Sequence, residues 1–138
     1  MNIYIDCEFN EFQGALISMA LVSQDGREFY QVLPCANPGP WVAEHVMPLL
    51  GAKPVQPEEF WLNLERYLGQ FARVHIIADW PEDIAHFCQS LICGPGVRIA
   101  TPPLTMEIRR DLDAVSMIPH NALEDARAIR RLAIEKGL

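Results

Sequence analysis

The sequence predicts an α/β domain built on a five-stranded mixed sheet with helices on its faces. Three apolar segments come first, at residues 2–7, 15–23 and 28–33, and the Asp25-Gly26 turn is typical of a β-hairpin. Later apolar segments alternate with helical patterns, as expected for strands that join a sheet through helical crossovers. This order predicts three antiparallel strands followed by parallel ones.

The remaining elements follow from apolar spacing and turn residues. Asn121 is a favourable N-cap residue for the last helix. Four segments have the apolar periodicity of a helix, and they cover residues 41–50, 58–71, 81–92 and 121–137. Residues 74–78 and 97–100 are the fourth and fifth predicted strands, and the proline-rich residues 101–119 are expected to be partly helical.

Length and composition fit a single domain over residues 1–138, with half of the residues apolar. No apolar run is long enough to span a membrane, and the first residues lack a signal-peptide pattern, so a cytoplasmic protein is expected. The four cysteines form no CxxC pair and are expected to be reduced thiols.

The net charge of −7 argues against a protein that binds long duplexes, because such proteins usually present a basic surface to the phosphates. It is compatible with a short substrate or with carboxylates that hold metal ions, since a bound cation inverts the local charge.

Asp6 and Glu8 lie where the first strand ends, in the stretch IDCEF. Residues two apart in a strand point to the same face, so these carboxylates project together, about 7 Å apart along the chain. A divalent cation would remove their mutual repulsion. The alternative is a solvated sheet edge with both acids in water.

A second acidic stretch, DWPEDIAHF, follows the predicted strand over 74–78. Asp83 borders the apolar face of the next helix, four residues before Phe87. Its alternative role is charge compensation at the helix N-terminus. Asp79 and Glu82 compete with Asp83 for the functional role.

The third stretch is HNALEDARA. Asp125 lies on the apolar stripe of the last helix, with Ala122 and Ile129, and a carboxylate on a buried face needs a partner. His120 sits just before the N-cap, beside the same position. Glu124 and Arg127 fall outside the stripe and are expected to be solvated.

These three stretches resemble the motifs of the DEDDh, or DnaQ-like, 3′–5′ exonucleases of the ribonuclease H-like superfamily. IDCEF matches the first motif, DWPEDIAHF the second and HNALEDARA the third. The stretches EFNEFQGALISMALVSQDGREFY and WVAEHVMPLL are further similar to the compact bacterial exoribonucleases of mycobacterial type, which favours RNA over DNA.

The resemblance implies a ribonuclease H-like fold and hydrolysis of RNA from its 3′ end, releasing nucleoside 5′-monophosphates. It implies two Mg²⁺ or Mn²⁺ ions per site, with Asp6 bridging both. Glu8 and Asp125 would hold the ion that generates the nucleophile, and Asp83 would act on the second ion through water. His120 would be the general base. Related exonucleases often dimerise, so a homodimer is expected by analogy.

Substrate contacts are also implied by the resemblance. The main chain at Phe9 and Asn10 would contact the terminal sugar. Trp80 would border the cleft or pack in its turn. A stacking or wedging group would come from one of four residues, Phe9, Phe12, Leu16 or Ile17; the last two could equally be sheet core.

Two rival functions remain open. One is a non-catalytic ribonuclease H-like module that binds RNA ends or a protein partner, against which the presence of all five motif residues counts. The other is a phosphodiesterase restricted to short oligonucleotides or DNA, which the acidic composition allows.

Overall fold

A computed structural model describes all 138 residues and contains one five-stranded mixed sheet. Its strands run in the spatial order β3-β2-β1-β4-β7: β1 (Asn2–Phe9), β2 (Leu16–Ser23), β3 (Glu28–Val32), β4 (Val74–Ala78) and β7 (Leu104–Ile108). The first three strands pair antiparallel, and β4 and β7 are parallel to β1. The predicted fold class is confirmed, and the architecture is consistent with a ribonuclease H-like fold.

Four helices flank the sheet: α1 (Pro40–His45), α2 (Pro57–Leu68), α3 (Pro81–Ser90) and α4 (Ala122–Glu135). The first helix is shorter than the sequence predicted, since the chain changes to a 3₁₀ turn over Met47–Leu49 around Pro48. A proline inside a helix removes a backbone donor and clashes with the preceding turn.

The fifth strand of the main sheet is not where the sequence placed it, so the prediction over residues 97–100 is wrong. Val97–Arg98, strand β6, pairs instead with β5 (Ile92–Gly94) in a separate small hairpin. Gly96 supplies the positive φ that this tight turn requires. The fifth strand is β7, within the segment expected to be partly helical.

The side chains of β1 point alternately to the two faces of the sheet, and this alternation separates the core residues from the site residues. Ile3, Ile5 and Cys7 face the main apolar cluster, which also holds residues of α2 and α3. Tyr4 points the other way and packs with Ile129 of α4. Because side chains two apart share a face, Asp6 and Glu8 also project toward the α4 side.

The polar face of α4 is less exposed than the sequence indicated. Glu124 and Arg127 are half-buried, because Arg127 binds both Glu124, at 2.6 Å, and Glu28 of β3, at 2.7 Å. The expectation that both are solvated is therefore wrong, and this ion-pair network ties α4 to the sheet edge.

All four cysteines are free thiols in the structure. None of the helices combines the length and the apolar character that crossing a membrane requires.

Candidate active site

Three parts of the fold bring carboxylates to one end of the sheet. Asp6, Glu8 and Asp125 offer carboxylate oxygens that all lie within 4.8 Å of one another. Asp6, Asp79 and Asp83 form a second such group with the same spacing. Asp6 belongs to both groups, so the five acids form one cluster. The structure thus brings together all four predicted acids and adds Asp79.

The position of Asp125 follows from how α4 is anchored. The Asn121 side chain caps the helix by accepting a hydrogen bond from the Glu124 backbone N–H at 3.0 Å, as its sequence predicted. Ala122 and Ala126 pack directly on β2. Small side chains allow the helix to approach the sheet closely, and Asp125 therefore reaches the acids of β1.

Asp83 and Asp79 are held in different ways. Asp83 is only 2 % exposed, and its Oδ1 accepts a hydrogen bond from the Cys7 backbone N–H at 3.0 Å. This bond links α3 to β1. Asp79 is half-buried at the end of β4, and its backbone carbonyl accepts a hydrogen bond from Arg110.

Burial and mutual repulsion make these acids hard to ionise. Burial, reinforced by the charges of Asp83, Glu8 and Asp125, raises the pKa of Asp6 well above its usual range. Burial and Asp125 raise the pKa of Glu8 to about 7. Burial and Asp79 raise the pKa of Asp83 to about 8, although the Cys7 N–H opposes this shift. The cluster is therefore unfavourable unless positive charge is added.

The pKa of Asp125 is also raised, chiefly by burial. Ser116 and the His120 backbone N–H lower it in part. These two polar groups approach Asp125 from the loop before α4, so that loop and the helix together shape its environment.

The cluster meets the chemical requirements of a cation site. Asp6 Oδ2 is buried and has no hydrogen-bond partner in the protein. An orphaned carboxylate oxygen facing other carboxylates is strongly unfavourable, and a divalent cation would satisfy it. A donor set made only of carboxylate oxygens suits hard cations such as Mg²⁺ or Mn²⁺.

His120 lies at the mouth of this cluster. Together with Asp6 and Asp125 it lines a cleft of about 300 Å³. Its imidazole is exposed to solvent, and its edge contacts the ring of Trp41, with 5.0 Å between ring centroids. His120 has a positive φ of 69°, an uncommon conformation that functional sites often retain.

Comparison with known proteins decides the family. The chain is similar to 3′-5′ exoribonuclease Rv2179c and 3′-5′ exoribonuclease MT2234.1, from the H37Rv and CDC 1551 strains of Mycobacterium tuberculosis. Each is 31% identical over 150 residues, covering 92% of this chain and 88% of the relative. The chain belongs to this 3′–5′ exoribonuclease family. Membership makes it a hydrolytic 3′–5′ exonuclease. No family model matches the sequence.

In this exoribonuclease family member, a second pocket of about 270 Å³ adjoins Glu8. Phe9 and Phe12, two of the predicted substrate-binding residues, line it. Phe12 is 83 % exposed, whereas Phe9 is half-buried and stacks on His86.

The other predicted contacts lie further from the cluster or are already engaged. The Asn10 side chain binds the loop before α1, donating to the Asn37 carbonyl and accepting from the Gly39 N–H. Trp80 is half-exposed beneath the Arg110 guanidinium. The structure does not bring Leu16 or Ile17 to the cluster, since Leu16 packs against the main core and Ile17 is buried beneath α1.

Sequence reasoning missed Trp41. This residue is 47 % exposed, lines the pocket beside Glu8, and has one ring face stacked on His45 at 4.5 Å between centroids. An exposed tryptophan in the first turn of a helix was the available signal. Its proximity to Glu8 depends on how the loop over residues 34–39 folds back, which local patterns do not encode.

Proposed function

We propose that this chain is a metal-dependent 3′–5′ exoribonuclease that hydrolyses phosphodiester bonds at RNA 3′ ends and releases nucleoside 5′-monophosphates. The observation that carries the proposal is the pair of three-carboxylate groups sharing Asp6, in a chain of the 3′–5′ exoribonuclease family. Two such groups are what a site for two divalent cations needs.

Asp6, Glu8 and Asp125 would hold one Mg²⁺ or Mn²⁺ ion. Asp6 would also hold the other ion, on which Asp83 would act through water, and Asp79 completes that second group of carboxylates. When bound, such ions lower the pKa of the attacking water and offset the charge that develops on the leaving oxygen. The protein contributes a rigid set of oxygens at the end of the sheet, so little reorganisation is needed during the reaction.

His120 is the proposed general base and accepts the proton of the attacking water. A general base must reach the reacting atoms, and the exposed imidazole lines the same cleft as Asp6 and Asp125. Its edge contact with Trp41 limits how the ring can turn. The nearby backbone N–H of His120 interacts with the Asp125 carboxylate, so the base and the cation site are coupled through one short segment.

The pocket beside Glu8 is the proposed site for the terminal nucleotide. Its Phe12 and Trp41 side chains can stack on a base, and aromatic stacking accepts any base. Phe9, at the end of β1, also lines this pocket. This arrangement supports removal of 3′-terminal nucleotides without strong sequence preference.

A 5′-labelled single-stranded RNA, incubated with Mg²⁺ or Mn²⁺ and resolved by length, tests the proposal. Stepwise shortening from the 3′ end and recovery of nucleoside 5′-monophosphates are expected. Binding without cleavage would instead identify a non-catalytic module. A DNA strand of the same sequence, run in parallel, measures the expected preference for RNA.

One observation favours a phosphodiesterase for short oligonucleotides as the second candidate. Acidic, aromatic, aliphatic and small polar residues line the two pockets, and neither lining includes Lys or Arg. Few phosphates upstream of the cleaved bond would then be contacted. Cleavage confined to RNAs of two to five nucleotides would establish this narrower function.

A homodimer and a cytoplasmic location remain predictions.

A further inference from the structure

Ser18 lies on β2 directly opposite Glu8 on β1. In an antiparallel pair, residues opposite each other project to the same face, with Cβ atoms about 4.5–5.5 Å apart. The Ser18 hydroxyl and the Glu8 carboxylate therefore occupy neighbouring positions on the side of the sheet that carries the acidic cluster.

The Ser18 hydroxyl is buried without a partner. Ser18 is 0 % exposed, and its Oγ makes no hydrogen bond in the structure. Ser23, at the other end of β2, is equally buried, but its hydroxyl accepts from the Arg27 backbone N–H at 2.9 Å and donates to Asp25. A native protein rarely leaves a buried hydroxyl unpaired without a functional reason.

Two acceptors lie near Ser18, the Glu8 carboxylate and the Tyr30 hydroxyl oxygen. On the β3 side of β2, Ser18 pairs with Val32, whose side chain is apolar. The Tyr30 hydroxyl donates its own proton to the Leu50 carbonyl at 2.6 Å, and although its oxygen is close to Ser18, Ser18 makes no hydrogen bond to it in the structure. The Glu8 carboxylate, which faces Asp6 and Asp125, is the stronger acceptor once it is ionised, because hydrogen bonds to a charged group are about twice as strong as those between neutral groups.

We propose that Ser18 is a positioning residue for Glu8, whose carboxylate accepts a hydrogen bond from the Ser18 hydroxyl when it binds a cation. The proposal rests on the proposed function, because it takes Glu8 as a metal ligand. A carboxylate has two oxygens, so one can face the cation while the other accepts from Ser18. Partners of this kind fix the orientation of a metal ligand, and their loss typically weakens metal binding about 10- to 100-fold.

Calorimetric titration of Mn²⁺ into the metal-free protein tests the proposal without relying on catalysis. Ser18→Ala is expected to bind Mn²⁺ about tenfold more weakly than the wild type. Its unfolding midpoint is expected to be unchanged or higher, because the substitution removes an unpaired buried hydroxyl. Ser18→Cys retains a weak donor and is expected to lie between the two.

Ser23→Ala is the matched control, since it removes an equally buried hydroxyl of the same strand. It is expected to lower the unfolding midpoint, because its hydrogen bonds in the β2–β3 turn are lost, while Mn²⁺ affinity stays within twofold of the wild type. Ser18→Ala is expected to do the opposite, with weaker Mn²⁺ binding and no loss of stability. A variant that merely destabilised the sheet would lower the unfolding midpoint and could therefore be distinguished.

Glu8→Ala closes a double-mutant cycle, because alanine leaves no side-chain oxygen to accept from Ser18. In that background, Ser18→Ala is expected to change Mn²⁺ affinity less than twofold, since its partner is gone. Wild-type affinity in Ser18→Ala, or an equal tenfold loss when Ser18→Ala is combined with Glu8→Ala, would overturn the inference alone. A wild-type protein that neither binds Mn²⁺ nor cleaves RNA would overturn the proposed function together with it.

Discussion

Asp6 is the residue on which both carboxylate groups depend. One of its oxygens is buried and unpaired, and its nearest acidic neighbours come from β1, α3, α4 and the end of β4. Such a position destabilises the metal-free protein, and nothing in the core requires an acid there. The residue is best explained by the cations that it would bind.

The first prediction concerns Asp6→Ala and Asp125→Ala. Each removes a carboxylate that is proposed to hold a cation, so RNA cleavage should fall by at least about 100-fold, more than the loss typical of residues that only orient a metal ligand. Far-ultraviolet circular dichroism should be unchanged, because neither carboxylate contributes to the apolar core. Initial rates on 5′-labelled RNA measure the effect. Glu135→Gln, which removes an exposed acid at the far end of α4, should retain wild-type rates.

The second prediction compares Asp83→Asn with Asp79→Asn. Asparagine keeps an oxygen that can accept from the Cys7 N–H, so the link between α3 and β1 is preserved while the charge is lost. We expect the larger loss of cleavage from Asp83→Asn, measured by kcat at saturating Mn²⁺. If Asp79→Asn is the more damaging change, Asp79 takes over the role assigned to Asp83.

Sequence patterns were sufficient to place the acids that lie within regular strands and helices at the site. They were insufficient for the acids next to turns. Strand alternation placed Asp6 and Glu8 together, and helical spacing from Asn121 placed Asp125 inward. The choice between Asp79 and Asp83 depends on the turn between β4 and α3, where no periodicity applies. Trp41 was missed for a similar reason, since its approach to Glu8 is a tertiary contact.

At the scale of elements, α4 is the helix that completes the site, and its N-terminus is fixed by Asn121. Besides capping the helix, this side chain donates to the Leu49 carbonyl at 2.7 Å. It therefore joins α4 to the 3₁₀ turn that follows α1. His120 precedes it and Asp125 follows it, so both depend on this anchor.

The third prediction follows from this anchor. Asn121→Ala should destabilise the protein by about 1 kcal/mol through loss of the cap, and cleavage should fall because Asp125 and His120 are less firmly placed. Asn121→Asp keeps the capping acceptor but cannot donate to Leu49, so its stability should be closer to the wild type. Urea unfolding measures both. Equal stability of all three proteins would contradict a structural role for the cap.

The misplaced fifth strand shows a limit of local patterns. Residues 97–100 have strand-like composition, but only Val97–Arg98 pair, in a hairpin too short to extend the main sheet. β7 gains its conformation from parallel pairing with β4, a contact between residues about 30 positions apart. Long-range pairing decides such short strands, whereas β1, β2 and α4 carry strong local signals and were predicted correctly.

At the scale of the whole molecule, the acidic cluster makes stability depend on pH and on cations. Folding raises the pKa of Glu8 to about 7 and that of Asp83 to about 8, above the reference values near 4 for unfolded carboxyls. The unfolded state loses these protons first as pH rises. Their contribution to stability is therefore present below about pH 4 and lost as pH rises through about 7 to 8.

The fourth prediction is a pH-dependent difference between the wild type and Glu8→Gln in EDTA. At pH 5 the two proteins should unfold at similar temperatures, because Glu8 is then mostly protonated in the folded state. At pH 8.5 Glu8→Gln should be the more stable by several degrees, since glutamine removes a charge that repels Asp6 and Asp125. Thermal unfolding followed by circular dichroism measures both midpoints.

Adding Mn²⁺ at pH 8.5 should make the wild type more stable than Glu8→Gln. The cation offsets the cluster's repulsion in the wild type, and a ligand that binds the folded state raises its unfolding midpoint by mass action. Glu8→Gln, which weakens one proposed oxygen ligand, should gain less stability from Mn²⁺. Glu135→Gln should follow the wild type in both buffers, which excludes a general effect of net charge. If the wild type is as stable as Glu8→Gln at pH 8.5 in EDTA, the charge of Glu8 does not destabilise the metal-free protein.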